Sequence, residues 1–274
     1  MQAEDLIGKV GVAAAMSKLL GGLFLGGSFG KGQADEWSDV DLVGLALAGR
    51  HEAVEAWWRD WLEQQEHLIY FQVLQRGGVL INAITESWLR VDLHMPGDGQ
   101  LGARSQDGTK PLYDPQNLHA QLVPSLPAHR PDPHRIEAMI LEFIRILGLS
   151  PVGLGRREYV VMVTGTGMLR DILSQLMQEE LPLADRGGML HLNKLLAPVD
   201  IAALEGLPYP QAEPVSLIEA QLALARLFLP RARIMSARLD IAWPQEFETN
   251  TRAHFARAIG RAADDLWPLE MNAA

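Results

Sequence analysis

Two aspartates one residue apart, Asp39 and Asp41, close the segment Gly26-Gly27-Ser28-Phe29-Gly30-Lys31-Gly32-Gln33-Ala34-Asp35-Glu36-Trp37-Ser38-Asp39-Val40-Asp41-Leu42. The apolar runs that flank the turn, Leu23-Phe24-Leu25 and Val40 to Leu47, read as buried strands. Strand side chains alternate between faces, so both carboxylates project to one side, where together they could hold a divalent cation. Two familiar phosphate loops are excluded. Counting back from Gly30-Lys31 puts Leu25 where a Walker loop needs its first glycine and Gly32 where it needs a hydroxyl. The dinucleotide fingerprint fails as well, since Gly30-Lys31-Gly32 is followed by Gln33, Ala34 and Asp35 with no third glycine.

A third carboxylate has the same potential. In Trp88-Leu89-Arg90-Val91-Asp92-Leu93-His94-Met95, Leu89, Val91 and Leu93 alternate with Arg90, Asp92 and His94. That period of two predicts a half-exposed strand whose polar face carries Asp92, able to turn toward the first pair. His94 shares that face. A packed or solvated strand histidine accounts for it better than a role in orienting a carboxylate does.

The elements that must position these groups follow from hydrophobic spacing. Asp5 to Leu20 and Glu52 to Gln65 carry apolar residues at helical spacing. Trp57, Trp58 and Trp61 in the second of these are expected to pack on the sheet as core rather than to stack on bases. Leu68 to Leu74 and Val79 to Ile84 read as strands joined across Arg76-Gly77-Gly78. From Gly97 to Pro133 prolines punctuate a stretch of little periodicity, which reads as an extended connection between domains. Beyond it the pattern is helical: His134 to Leu147, stopped by Gly148 and Pro151; Arg156 to Glu180; Val215 to Leu239, interrupted at Pro230; and Pro244 to Leu266. The expected fold class is α+β, with a mixed sheet and flanking helices over residues 1–130 and a C-terminal α-helical bundle over residues 131–274.

Composition narrows the function classes. The chain has 274 residues, enough for two domains, and a net charge of −10. Residues 1–130 carry 16 acids against 10 Lys and Arg, and residues 131–274 carry 18 against 14, so neither half is a basic platform for nucleic acid. Zero cysteines exclude disulfides, thiolate catalysis and cysteine zinc sites. With no uninterrupted apolar segment of about 18 residues and no signal pattern at the N-terminus, a cytoplasmic protein that does not engage membrane is expected.

Gly-Gly-Ser, a short turn, Ser-Asp-Val-Asp-Leu and a later Arg-Val-Asp-Leu strand together resemble the DNA polymerase beta-like nucleotidyltransferase superfamily. Length and layout are most similar to the lincosamide and aminoglycoside nucleotidyltransferases, antibiotic adenylyltransferases that pair this domain with a helical substrate-binding domain. Gly155-Arg156-Arg157-Glu158-Tyr159 is similar to a basic Glu-Tyr step in that helical domain. The resemblance implies transfer of a nucleoside monophosphate, AMP from ATP, to a hydroxyl of a small molecule. Asp39 and Asp41 would bind two Mg2+ ions, and Asp92 would complete the site as a metal ligand or as the general base, with Glu86 a second candidate for that proton. Gly27 and Ser28 would offer donors to the phosphates of ATP or another nucleoside triphosphate, and Lys31 a positive charge. Arg156 and Arg157, and more weakly Lys194, would reach the triphosphate, while Glu158 could serve the acceptor. Two further readings stay open: a non-catalytic regulatory or antitoxin-like protein on the same fold, and a protein adenylyltransferase. Oligomeric state is not legible from the sequence.

Overall fold

The computed structural model describes residues 1–75, 77–184 and 189–268. The chain is α+β, a mixed six-stranded sheet with flanking helices followed by a helical region, and it divides into two compact units, Met1–Pro127 and Ala128–Ala274.

The first unit runs α1 (Ala3–Ser17), β1 (Leu20–Leu25), α2 (Gly27–Gly30), β2 (Val40–Ala46), α3 (His51–Gln65), β3 (Leu68–Gln75), β4 (Gly78–Thr85), β5 (Arg90–Pro96) and β6 (Lys110–Tyr113). Its sheet has the order β3-β4-β5-β2-β1-β6, in which β2 and β5 are parallel and the other neighbours antiparallel. Arg76, expected in the β3–β4 turn, lies outside the described residues.

Spacing explains why the helices lie where they do. Leu6, Val10 and Ala14 of α1, and Val54, Trp58 and Leu62 of α3, recur every fourth residue, which puts each set on one face. Both stripes are buried in one cluster with Val40, Leu42, Ile81 and Leu93 from the sheet. Each such side chain contributes about 1.5–3 kcal/mol by leaving water. Trp57 and Trp61 pack against the same cluster, and the Trp58 and Trp61 rings stack with centroids 5.4 Å apart. Trp58 is core, and Trp57 and Trp61 are half-buried against it.

On the other face of the sheet, Phe24, Val43 and Leu45 are covered by Leu101, with Leu118 and Leu122 against them. Those covering residues come from the stretch that the sequence presents as a connection between domains. Much of it belongs instead to the first unit, where β6 extends the sheet beside β1. Proline hid this strand: Pro111 lies in β6 at the sheet edge, where a missing N–H need not remove a ladder bond.

The second unit runs α4 (Pro133–Arg156), α5 (Tyr159–Glu179), α6 (Leu192–Leu195), α7 (Pro198–Glu205), α8 (Pro214–Arg238) and α9 (Gln245–Ile259). Asp132 caps α4 by accepting from the His134 N–H at 3.0 Å. Contrary to expectation, α4 does not stop at Gly148 and Pro151. It continues to Arg156, with Ile144, Ile146, Leu147 and Pro151 buried. An interior proline costs about 3 kcal/mol, a penalty of the size that burying one or two large apolar side chains offsets. A Cβ on Gly148 would touch Thr251 of α9 at 3.5 Å, so the glycine marks close packing between helices rather than an end. Likewise α8 passes unbroken through Pro230.

Phe143 of α4 stacks on Phe228 of α8 with centroids 3.8 Å apart. Gly165-Thr166-Gly167 stays inside α5, where the buried Thr166 hydroxyl donates to the Met162 carbonyl at 2.8 Å and accepts from Gln221 Nε2 of α8 at 3.1 Å. By length and composition α4 is long and apolar enough to cross a membrane, yet Ile136, Met139, Ile140 and Phe143 are packed in the core of this unit.

Candidate active site

The acidic residues are brought together by register. Asp41 of β2 and Asp92 of β5 are direct neighbours in the parallel pair, and Asp39 precedes β2 by one residue on the same side of the chain as Asp41. One oxygen from each of Asp39, Asp41 and Asp92 lies within 4.8 Å of the others, a spacing at which a single cation or a close pair can be shared. All three side chains are half-buried.

Burial, then the charges of Asp39 and Asp92, push Asp41 up to about 6 against the pull of Arg90 and Lys31. Asp92 is raised as well, by burial first, with the Asn82 amide opposing. Carboxylates that resist ionisation because they are buried and, to a lesser degree, because they crowd one another are the arrangement a cation relieves. The residues present therefore fit a divalent metal.

The glycine turn meets this cluster directly. Gly26 N–H donates to the Asp41 carbonyl at 2.8 Å, tying the turn to β2. Gly27 has φ +55°, and a Cβ there would overlap the Asp41 carboxylate, so a side chain at this position would displace that carboxylate. Ser28 follows in α2, and its hydroxyl oxygen is buried with no hydrogen-bond partner among the described residues. A buried donor without a partner is costly unless a ligand satisfies it. Lys31 caps the C-terminal end of α2 and acts on Asp41 through its charge.

Two residues that sequence reasoning did not assign, Arg90 and Asn82, act on the acidic cluster, and a third, Arg104, contacts His94 beside it. Arg90 lies 3.4 Å from Asp39 Oδ2 and donates to the Trp37 carbonyl at 3.3 Å, pinning the loop before β2 to β5. Arg104 donates to the Leu101 carbonyl and approaches His94 Nδ1 at 3.4 Å. Burial and then Arg104 hold the His94 pKa below the ordinary range, favouring the neutral ring. Asn82 of β4 is the cross-strand neighbour of Asp92. Arg90 was visible as a polar strand position, but its partner depends on tertiary register; Asn82 and Arg104 carried no local signal.

Other expected residues lie elsewhere. Glu86 occupies the exposed β4–β5 turn, where its N–H donates to the His67 carbonyl at 2.9 Å, and it is not in the converging carboxylate group. Arg156, Arg157, Glu158 and Lys194 belong to the second unit. The Arg156–Tyr159 step is not the start of one long helix: Arg156 ends α4, Arg157 has φ +58°, and Glu158 precedes α5. Lys194 sits in α6.

No protein-family model and no curated protein matches the sequence. Among solved structures, the chain is similar to an aminoglycoside 6-adenyltransferase from Bacillus subtilis, with 12% identity and TM-score 0.45 over 94% of this chain and 99% of that one. It is also similar to the Thermotoga maritima CCA-adding enzyme complexed with tRNA, with 10% identity and TM-score 0.35 over 99% of this chain and 68% of that one. At such distances, the assignment of this site rests on its own residues.

Proposed function

We propose that this protein is a Mg2+-dependent nucleotidyltransferase that moves a nucleoside monophosphate, AMP from ATP, onto a hydroxyl of a small molecule. The observation that carries the reading is the convergence of Asp39, Asp41 and Asp92 within 4.8 Å. A turn in which a Cβ on Gly27 would overlap the Asp41 carboxylate, and in which the buried Ser28 hydroxyl has no partner among the described residues, adjoins them.

Asp39 and Asp41 would hold the metal, which when bound neutralises charge on the triphosphate and on the oxygens entering and leaving phosphorus. Ser28 Oγ and the backbone N–H groups of Gly27 and Ser28 would donate to phosphate oxygens. Lys31 supplies positive charge on the same side. Arg90 holds Asp39 in place through their ion pair. Asp92 is assigned as the base: its carboxylate takes the acceptor hydroxyl proton as the hydroxyl oxygen bonds to the α-phosphorus. The bond from α-phosphorus to the bridging oxygen breaks, and pyrophosphate leaves with the electron pair. The proposed compartment is the cytoplasm, where a nucleoside triphosphate substrate is supplied.

The test is calorimetric titration of a non-hydrolysable ATP analogue with and without Mg2+, on the wild type and on Asp39→Ala/Asp41→Ala. Metal-dependent binding lost in the double variant is expected. A protein that binds no nucleoside triphosphate would instead be a regulatory member of the fold. Lincosamides and aminoglycosides are the first acceptors to screen for pyrophosphate release, with a protein hydroxyl as the alternative acceptor.

A further inference from the structure

The cluster of aspartates is one end of a longer polar row. Asp41 pairs with Asp92, Asp92 with Asn82, and Asn82 with Gln72, so one residue from each of β2, β5, β4 and β3 stands in line across the sheet. Residues directly opposite in neighbouring strands project to the same face. The row therefore leads from the reacting carboxylates to the sheet edge at β3.

Along β4 and β3 it is bordered by three aliphatic side chains and one aromatic ring. Leu80 and Leu74 continue the row of His94 on one side, and Ile84 and Tyr70 continue the row of Arg90 on the other. Over β1 and β2 this face is closed by Leu101, Leu118 and Leu122. Along β3 and β4 it is not: Tyr70 is 43% exposed, Gln72 is exposed, and Leu74, Leu80, Asn82 and Ile84 are half-buried. None of these six carries a charge.

The hydrogen-bonding capacity of the strip is fixed by its neighbours. Tyr70 donates its hydroxyl to Gln72 Oε1 at 2.6 Å, which leaves both N–H groups of that amide to face outward. Asn82 lies against the Asp92 carboxylate, toward which its NH2 group is the only possible donor, leaving its carbonyl oxygen as an acceptor. Successive strands are about 4.8 Å apart, so donor and acceptor groups recur at about the spacing of alternate substituents on a six-membered ring. Hydroxyl groups both donate and accept, and the aliphatic and aromatic borders suit the C–H faces of such a ring. A cation would find no carboxylate beyond Asp92 along the strip.

We propose that the strip Asp92–Asn82–Gln72 is a subsite for an uncharged, polyhydroxylated small molecule, a glycoside or cyclitol, which presents one hydroxyl to Asp92. That this molecule is the acceptor rests on the transfer reading above; that the strip binds it does not.

The probes are methyl α-D-glucopyranoside and myo-inositol, with the dication 2-deoxystreptamine as the charged comparison, titrated into the full chain without nucleotide and followed by saturation-transfer NMR. Both neutral probes should bind. Gln72→Ala and Asn82→Ala should each weaken them about tenfold, as loss of a polar contact in a specific site does. Gln72→Glu, at an exposed edge position that does not threaten the fold, should weaken the neutral probes while strengthening 2-deoxystreptamine. Absence of neutral binding, binding indifferent to all three substitutions, or tighter binding of 2-deoxystreptamine to the wild type would each overturn the proposal. Neutral binding that depends on Asn82 and Gln72 in a protein that takes no Mg2+-nucleotide would uphold the subsite and remove the transfer reading. Nucleotide binding without any neutral probe would do the reverse.

Discussion

Asp41 shows what the site costs the folded protein. Its pKa, about 6, lies above the ordinary aspartate value that the unfolded chain would show, so between about pH 4 and 6 the native state binds more protons than the unfolded state. Unfolding free energy therefore falls as pH rises through that window, and the penalty is fully present at neutral pH. Asp41→Asn should stabilise the metal-free protein by on the order of 1–2 kcal/mol at pH 7.5, a gain that fades toward pH 4 and is read by thermal unfolding across pH. The same variant should lose Mg2+-dependent nucleotide binding. Metal affinity of the wild type should weaken as pH drops below about 6, with proton release on binding, measurable by calorimetry in two buffers of different ionisation enthalpy. Gly27→Ala brings a Cβ into the Asp41 carboxylate at a residue of φ +55°. It should cost about 1–3 kcal/mol and weaken the nucleotide analogue at least about tenfold. At this scale the sequence was partly legible: the one-residue spacing of Asp39 and Asp41 and the alternation around Asp92 are local, and strand geometry alone orients them. Asn82, Arg90 and Arg104 acquire their roles only through cross-strand register and loop closure.

Helices that run through their own stop signals were the least legible elements. Pro151 and Pro230 are read locally as breaks, yet burial along α4 and α8 outweighs them. Strand β6 was missed for a related reason, since an edge position tolerates the proline that argues against a strand. By contrast, α1 and α3 were legible because their apolar residues repeat at one period over several turns. The stacked Phe143 and Phe228 rings join α4 to α8 where both are fully buried. Phe143→Ala should destabilise the second unit by about 3–5 kcal/mol, seen as a lowered melting transition, while Leu141→Ala on an exposed position of the same helix should cost under about 0.5 kcal/mol beyond propensity.

The whole molecule has separate hydrophobic clusters in its two units. Calorimetric melting should accordingly resolve two transitions, with Phe143→Ala moving one and leaving the other in place. With a net charge of −10, retention on heparin at physiological ionic strength should be negligible. The parallel pairing of β2 with β5 adds a consequence in time. The chain between Asp41 and Asp92 holds α3 and the β3–β4 hairpin, so bringing the two carboxylates together closes a long loop. Local hairpins form in microseconds, whereas closing a long loop is entropically slower, so the acidic cluster should be among the last features assembled and absent from the folding transition state. Mg2+ should then slow unfolding while leaving the refolding rate unchanged, so that the ion acts as a latch on the finished domain and not as a seed for making it.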